Sequence, residues 1–239
     1  MKKSFVSAIL VIFLMNLVLA GGRFFESGAG GYEAMYLPLD MEKIDTKLNN
    51  IGLSDIDNSI FLQGGGGWGN IGNNFRIGGY GYGGSIPTIK NKDNGIKRKF
   101  KMGISLGGFA LEKAIQPLEN TEVSIRCIIG GGNLNMTIKK QSNIPSSWDE
   151  LWNEYKLNNS TGESPINYRS KLNTEFFMLA PSLGVRYYFL EWFGVGANLG
   201  YLYTDINQDK WEVDGNELYN APEVDLSNIM FKVNFFFGR

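Results

Sequence analysis

The last twelve residues of the chain constrain its fold more than any other segment. They read NIMFKVNFFFGR, and the odd positions from 229 to 237 are all apolar. Among the even positions, Asn228, Lys232 and Asn234 are polar. Successive side chains of a β-strand point to opposite sides, so a two-residue period predicts a strand with one apolar face and one polar face.

The first twenty residues have the pattern of a secretory signal. Two lysines are followed by an apolar stretch from Phe5 to Ala20, with the small residues Val18 and Ala20 at the −3 and −1 positions of a cleavage site. This predicts a cleaved signal peptide over residues 1–20; the alternative is an uncleaved membrane anchor. The expected mature chain, residues 21–239, has a length that suits a single domain.

The composition excludes several functional classes. The charges nearly balance, with 23 basic and 24 acidic residues, which argues against nucleic acid as a partner. The chain has no histidine, so Ser–His and Cys–His nucleophiles and imidazole metal ligands are excluded. Carboxylate pairs can still act as acids and bases without histidine; we nevertheless predict no catalytic residue, no cofactor and no metal ligand. The single cysteine, Cys127, cannot form an intrachain disulfide and lies on the apolar face of its run.

One glycine motif invites a different interpretation. Residues 67–72 match G-x-G-x-x-G, but they lead into another alternating run and not into the helix that a dinucleotide site requires. The motif therefore does not predict nucleotide binding.

Eight alternating runs occupy the body of the chain. In the clearest of these runs, apolar and aromatic residues lie on one face and small or polar residues on the other. This pattern is typical of a transmembrane β-barrel. A soluble β-protein also alternates, with its apolar face inward, and the period alone does not separate the two. The runs are 32–37, 59–69, 74–86, 96–112, 121–139, 169–189, 192–204 and 227–237.

The connections between these runs alternate in length. In an up-and-down meander all long loops then lie at one end and all short turns at the other, as in outer-membrane barrels. We predict an all-β fold, an antiparallel closed barrel of about eight strands, with short helices in the loops near 40–52 and after Ser147. Short connections lie near 70–73, 113–120 and 190–191, and long ones at 38–58, 87–95, 140–168 and 205–226.

Two runs change the phase of their alternation. In the fourth, apolar residues occupy positions 100 to 106 at even numbers and then 109 and 111; the shift falls at Gly107–Gly108. The fifth changes phase within Gly130–Gly132. A one-residue shift at glycines predicts a β-bulge in each strand.

Charged residues within or near the strands form the first candidate site. Opposed charges on the polar faces predict a salt-bridge network in a narrow lumen with a structural role, since a buried charge without a partner would be costly. The predicted members are Arg76, Lys99, Lys101, Arg126, Arg186, Glu112, Glu122 and Glu175.

A second candidate site lies in the loop 140–168. Ser147 and Glu150 form a capping box, and Trp148, Trp152 and Tyr155 follow on one face of the predicted helix. This helix either packs on the rim of the barrel or offers these aromatics as a contact surface for lipid headgroups, glycan or another protein.

The signal at 1–20, the hairpin Tyr187–Phe193 and the terminal Phe235–Phe237 together resemble the small eight-stranded outer-membrane β-barrel proteins. The resemblance implies a location in the outer membrane, contact with its bilayer, and recognition of the C-terminal strand by the barrel-insertion machinery. In that family the last residue is commonly aromatic, whereas Gly238 and Arg239 follow here.

Three functional hypotheses remain at this point. The interior of an eight-stranded barrel is filled by side chains or holds one small ligand, so a general diffusion pore is not expected. The first hypothesis is a non-enzymatic barrel with an envelope-structural or surface-interaction role through loops 140–168 and 205–226. The second is an outer-membrane lipid-modifying enzyme or protease, and the third is a soluble secreted or periplasmic barrel that binds an apolar ligand.

Overall fold

The structure is a computed structural model that describes residues 27–53, 56–86, 89–93, 96–141, 168–221 and 224–238, with only the backbone described for 89–93. Among these residues, no helix has the length and apolar character needed to cross a bilayer. The elements are β1 Gly28–Pro38, α1 Glu42–Asn49, β2 Ser59–Gly72, β3 Phe75–Ser85, β4 Ile89–Asp93, β5 Ile96–Leu118, β6 Thr121–Gln141, β7 Tyr168–Leu190, β8 Phe193–Ile206, a 3-10 turn at Gln208–Lys210, β9 Glu212–Val213, β10 Asn216–Glu217 and β11 Asn228–Gly238.

Eight of these strands form a closed antiparallel ring, which confirms the predicted fold class. The ring contains β1, β2, β3, β5, β6, β7, β8 and β11, and each strand pairs with its neighbours in chain order. The C-terminal strand β11 closes the ring by pairing with β1, where Phe237 lies opposite Gly30. The other three strands extend the long loops: β4 pairs with β5, and β9 pairs with β7 and β10.

Short turns lie at one end of the ring and long connections at the other, as the sequence predicts. The turns are residues 73–74, 119–120 and 191–192. Asn73 and Asn74 have φ angles of 52° and 63°, which suit a two-residue hairpin turn. The described ends of β1 and β11, at Gly28 and Gly238, also lie at this short-turn end.

The predicted β-bulges at the glycine clusters are wrong. β5 and β6 pair in continuous register from Lys97 opposite Gln141 to Ile115 opposite Val123. Even-numbered side chains point inward on both sides of Gly107–Gly108, from Phe100 to Ala114. The phase shift in the sequence arises because the polarity of the two faces inverts, while the strands continue without interruption.

This inversion divides the barrel into two segments. In the upper segment, toward the long loops, β5 has Phe100, Met102 and Ile104 inside and lysines outside. In the lower segment, toward the short turns, Glu112 lies inside and Phe109 is 84% exposed outside. A soluble β-protein has the first pattern and a transmembrane barrel has the second.

The outer surface of the lower segment is an apolar belt. On β7 it extends from Phe177 to Phe189, and on β8 and β11 it includes Leu199 and Ile229, all of them exposed. The twelve steps from Phe177 to Phe189, at about 3.3 Å each and with a strand tilt of about 40°, correspond to a height of roughly 30 Å, close to the apolar band of a transmembrane barrel.

Aromatic side chains gather at the short-turn edge of this belt. Their rings contact one another, with centroids 5.0 Å apart for Tyr187 and Phe189 and 6.2 Å apart for Trp192 and Phe237. Toward the long-loop end, Tyr36 and Phe61 contact edge to face at 5.4 Å. Transmembrane barrels carry such aromatic girdles where the bilayer meets water.

The upper segment encloses an apolar core that includes α1. Ile44 and Leu48 of the helix, and Met41 and Leu53 beside it, are buried in one cluster with the inward side chains of the strands. The Asp40 carboxylate accepts a hydrogen bond from the backbone N–H of Glu42 at 3.2 Å, near the start of the helix. The helix predicted near 40–52 therefore contributes to the interior of the barrel at its long-loop end.

Candidate functional site in the barrel interior

The strand register brings opposite charges face to face inside the lower segment. Arg76 of β3 lies opposite Glu112 of β5, which in turn lies opposite Arg126 of β6. Further toward the short turns, Glu122 of β6 lies opposite Arg186 of β7. Directly opposed pairs of unlike charge stabilise adjacent strands, so the register itself assembles the centre of an ionic cluster.

Glu112 is bound by three arginines. Its Oε2 accepts hydrogen bonds from Nε of Arg126 at 2.7 Å and from Nη2 of Arg186 at 2.6 Å. Its Oε1 accepts from Nη1 of Arg186 at 2.7 Å and from Nη1 of Arg76 at 3.2 Å. The carboxylate is 2% exposed, so these charge-assisted hydrogen bonds replace its lost hydration.

Glu122 is the second acidic centre. Arg76 binds it with both terminal nitrogens, with 2.6 Å between Nη2 and Oε2, and Arg186 adds a bond of 2.6 Å from Nη1. The guanidinium of Arg76 also lies 3.7 Å from the centre of the Trp68 ring. Contact with an aromatic face favours a desolvated cation, so Trp68 brings β2 into the cluster.

A third carboxylate, Glu33 of β1, completes the cluster and was not predicted. Its Oε1 accepts hydrogen bonds from Nη1 of Arg126 at 2.8 Å and from Nδ2 of Asn234 at 3.1 Å, and its Oε2 accepts from the Tyr82 hydroxyl. In the sequence Glu33 is surrounded by apolar residues on both faces of a short run. The one signal in the sequence was its odd number. In a strand, Glu33 therefore lies on the opposite face from the even-numbered Tyr32 and Tyr36.

Lys232 of β11 is a fourth buried cation that the prediction omitted. It is fully buried, and its Nζ has no hydrogen-bond partner among the described residues. Its signal in the sequence was its place among the even, polar positions of the last strand, beside Asn234. With Lys232, the buried charged groups in the described part of the chain are four basic groups and the three carboxylates of Glu33, Glu112 and Glu122.

The structure separates three predicted members from this cluster. Lys99, Lys101 and Glu175 occupy odd, outward positions of β5 and β7 in the upper segment, and Lys101 and Glu175 are exposed. Their assignment to the lumen was wrong because the polar face is the outer face above the inversion. The loop residues Trp148, Trp152 and Tyr155 lie outside the described residues.

The ionic cluster leaves little space around it. The cavity bounded by Glu33, Trp68, Tyr80, Arg126 and Arg186 measures about 10 Å³, roughly what one water molecule needs.

Inward glycines make this close packing feasible. A Cβ added to Gly132 or Gly194 would collide with the ring of Phe176 or Phe236, respectively, which lies on a neighbouring strand. The missing side chains at these glycines therefore leave room for large aromatic rings in the narrow interior.

The chemistry available to this cluster is limited by its pairing. Glu112 and Glu122 each accept hydrogen bonds from at least two arginines, and Glu33 accepts from Arg126. The cluster joins side chains from β1, β3, β5, β6 and β7, so it cross-links most of the ring. Its geometry suits cross-linking better than proton transfer.

No family model and no curated protein matches the sequence. The chain is similar to several solved outer-membrane proteins at low sequence identity. The N-terminal β-barrel domain of OprF from Pseudomonas aeruginosa has 11% identity and a TM-score of 0.38, covering 91% of this chain and all of that one. OprG from Pseudomonas aeruginosa has 14% identity and a TM-score of 0.42, covering 91% of this chain and 98% of that one.

A major outer membrane protein from Thermus thermophilus has 7% identity and a TM-score of 0.46, covering 90% of this chain and all of that one.

Proposed function

We propose that the protein is a non-enzymatic, non-conducting outer-membrane β-barrel that presents its upper segment and long loops outside the cell. In this proposal the lower segment spans the bilayer, the ionic cluster fastens the strands together, and the upper segment stands clear of the membrane. The protein then has an envelope-structural or surface-interaction role.

The polarity inversion is the observation that carries this proposal. Below it, exposed apolar side chains such as Leu183, Leu199 and Ile229 surround a charged interior. In water this belt would be an extensive exposed apolar surface, whereas in a bilayer it meets hydrocarbon. A β-sheet at that depth must close into a ring to satisfy every backbone group.

The filled interior supports the absence of conduction. The ionic cluster occupies the lower segment and leaves a cavity of about 10 Å³. Above it, the apolar cluster that includes α1 occupies the upper segment. A hydrated ion on this path would have to displace buried, paired charges and then cross an apolar core.

The other two hypotheses receive less support. A soluble barrel for an apolar ligand needs an apolar cavity, but the cavity in the lower segment is small and bordered by Glu33, Arg126 and Arg186. An enzyme that uses a carboxylate needs one within reach of substrate, but Glu112 and Glu122 are 2% and 6% exposed and bound by arginines.

Fractionation and conductance together test the proposed function. We expect the protein to sediment with the outer membrane, to change its gel mobility on boiling, and to produce no current steps in a planar bilayer. A protein recovered in the soluble fraction without a mobility shift would contradict the membrane assignment. Discrete current steps from the purified protein would contradict the closed interior.

A further inference from the structure

The outer face of the upper segment carries a row of cations that the ionic cluster does not use. Lys99 of β5 lies opposite Lys139 of β6, which lies opposite Arg169 of β7. By register, Lys90 of β4 lies on the other side of Lys99. We call Lys99, Lys139 and Arg169 the basic row.

The positive charges of the basic row are not paired with carboxylates in the described part of the chain. No ion pair joins its members to any described carboxylate. Like charges directly opposite each other in adjacent strands are destabilising. Lys101 lies next to the row on the same face, as does Lys171, whose backbone N–H donates to Asp214 at 3.1 Å. A row that costs stability and lacks counterions is suited to bind an external anion.

The height of the basic row above the apolar belt shows whether phospholipid phosphates or anions outside the headgroup layer can reach it. On β7 the apolar belt ends at Phe177, and Arg169 lies eight residues beyond it. This separation corresponds to about 26 Å along the strand and about 20 Å along the barrel axis. On β5, Lys99 lies ten residues beyond Phe109, or about 25 Å along the axis. A headgroup layer is only about 5–8 Å thick on each side, so the row lies beyond the phosphates of phospholipids.

The surroundings of the row favour a saccharide over a protein. The outward positions of these three strands from the row down to the belt carry no apolar or aromatic side chain. In addition to the charged residues they are Gly103, Ser105, Gly107, Gly131, Asn133, Asn135, Thr137 and Asn173. Protein interfaces depend on buried aromatic and apolar anchors, which this face lacks. Cations beside amides and hydroxyls suit the charged groups and hydroxyls of a glycan.

We propose that the basic row binds a polyanionic polysaccharide, sulfated or phosphorylated, that passes over β5, β6 and β7 outside the headgroup layer. This inference rests on the proposed function, because it needs the upper segment to stand outside the membrane. Neighbouring strands are about 4.8 Å apart, so the three cations span roughly 10 Å and can contact successive anionic groups of one chain.

Dextran sulfate binding to the full-length protein in phosphatidylcholine vesicles tests the proposal, with neutral dextran of equal length as the control ligand. The test variant is Lys99→Ser, Lys139→Ser, Arg169→Ser. The charge-matched control is Lys43→Gln, Lys47→Gln, Lys210→Gln, which removes three exposed cations from the same end of the barrel. We expect the test variant to bind at least about tenfold more weakly than wild type, the control variant to bind within about twofold, and wild-type binding to weaken as salt rises.

Four outcomes would overturn the proposal: no wild-type binding, equal losses in the two variants, equal binding of neutral dextran, or loss of binding when anionic lipids replace phosphatidylcholine. Tighter binding of polyglutamate than of dextran sulfate would reject the saccharide and favour an acidic protein. The mobility shift on boiling is measured for every sample. If it is retained while binding fails, only this inference is wrong; if it is absent from wild type, the proposed function fails as well.

Discussion

Replacing Arg186 with alanine is expected to destabilise the barrel by about 3–5 kcal/mol, because the change removes one buried guanidinium from two buried carboxylates at once. Arg186 is 1% exposed and binds both Glu112 and Glu122. The free energy of unfolding is measured by urea titration in lipid vesicles, with tryptophan fluorescence as the signal.

Arg169→Ala provides the matched control, since it makes the same chemical change at an exposed position. Its expected effect is below about 0.5 kcal/mol. Removing both partners, Arg186→Met with Glu112→Gln, should cost less than the sum of the two single changes, because the ion pair that they form is lost in each single change and the double change loses it only once. An Arg186→Ala protein as stable as the Arg169→Ala protein would contradict the cross-linking role of the ionic cluster.

Leu183→Arg is expected to destabilise the membrane-inserted protein by about 2–4 kcal/mol, since Leu183 lies midway along the apolar belt of β7 and faces outward. Asn173→Arg makes a similar change on the same face of the same strand but above the inversion, and should change stability by less than about 0.5 kcal/mol. The same urea titration measures both. Equal costs at the two positions would mean that the belt does not end near Phe177.

Most of the architecture is readable from the sequence because alternation and loop length are local properties. The run predicted over 192–204 matches β8, Phe193–Ile206, and the last run matches β11. The strand ends were less accurate, and β5 extends to Leu118, beyond the predicted end at 112. Residues such as Lys113 and Gln116 interrupt the apolar pattern there, although the backbone pairing continues nearly to the turn.

The members of the ionic cluster could be predicted only in part from the sequence. The reason is the inversion of polarity between the inner and outer faces of the barrel. Arg126 and Glu112 lie below it, where the polar face is the inner face, so parity placed them correctly. Lys99 and Lys101 lie above it, where the polar face is the outer face. The assumption that polar faces point inward therefore placed these two lysines in the lumen incorrectly. Alternation reports which side chains share a face, but whether that face meets bilayer, water or core depends on depth along the barrel.

The two glycine clusters illustrate the same difficulty. A bulge and a polarity inversion both move apolar residues from even to odd positions, so the sequence alone does not separate them. The paired backbones settle the matter, because Gly107 lies opposite Gly131 and Gly108 opposite Gly130 without a shift. At Gly108 and Gly130 an added Cβ would collide with the neighbouring backbone, so these glycines permit close approach of the strands where the faces exchange polarity.

The central claim is that β5 continues in one register through a change of environment, and spin-label accessibility along β5 tests it most directly. Labels are attached one at a time to cysteines at the odd positions 99, 101, 103, 105, 109 and 111 and at the even positions 102, 104 and 110, in a Cys127→Ser background, in lipid vesicles. We predict preferential contact with an aqueous nickel reagent from 99 to 105 and with lipid-dissolved oxygen at 109 and 111, while the even positions 102, 104 and 110 are shielded from both. Lipid contact that moves to the even positions beyond Gly108, or persists up to position 99, would contradict the account.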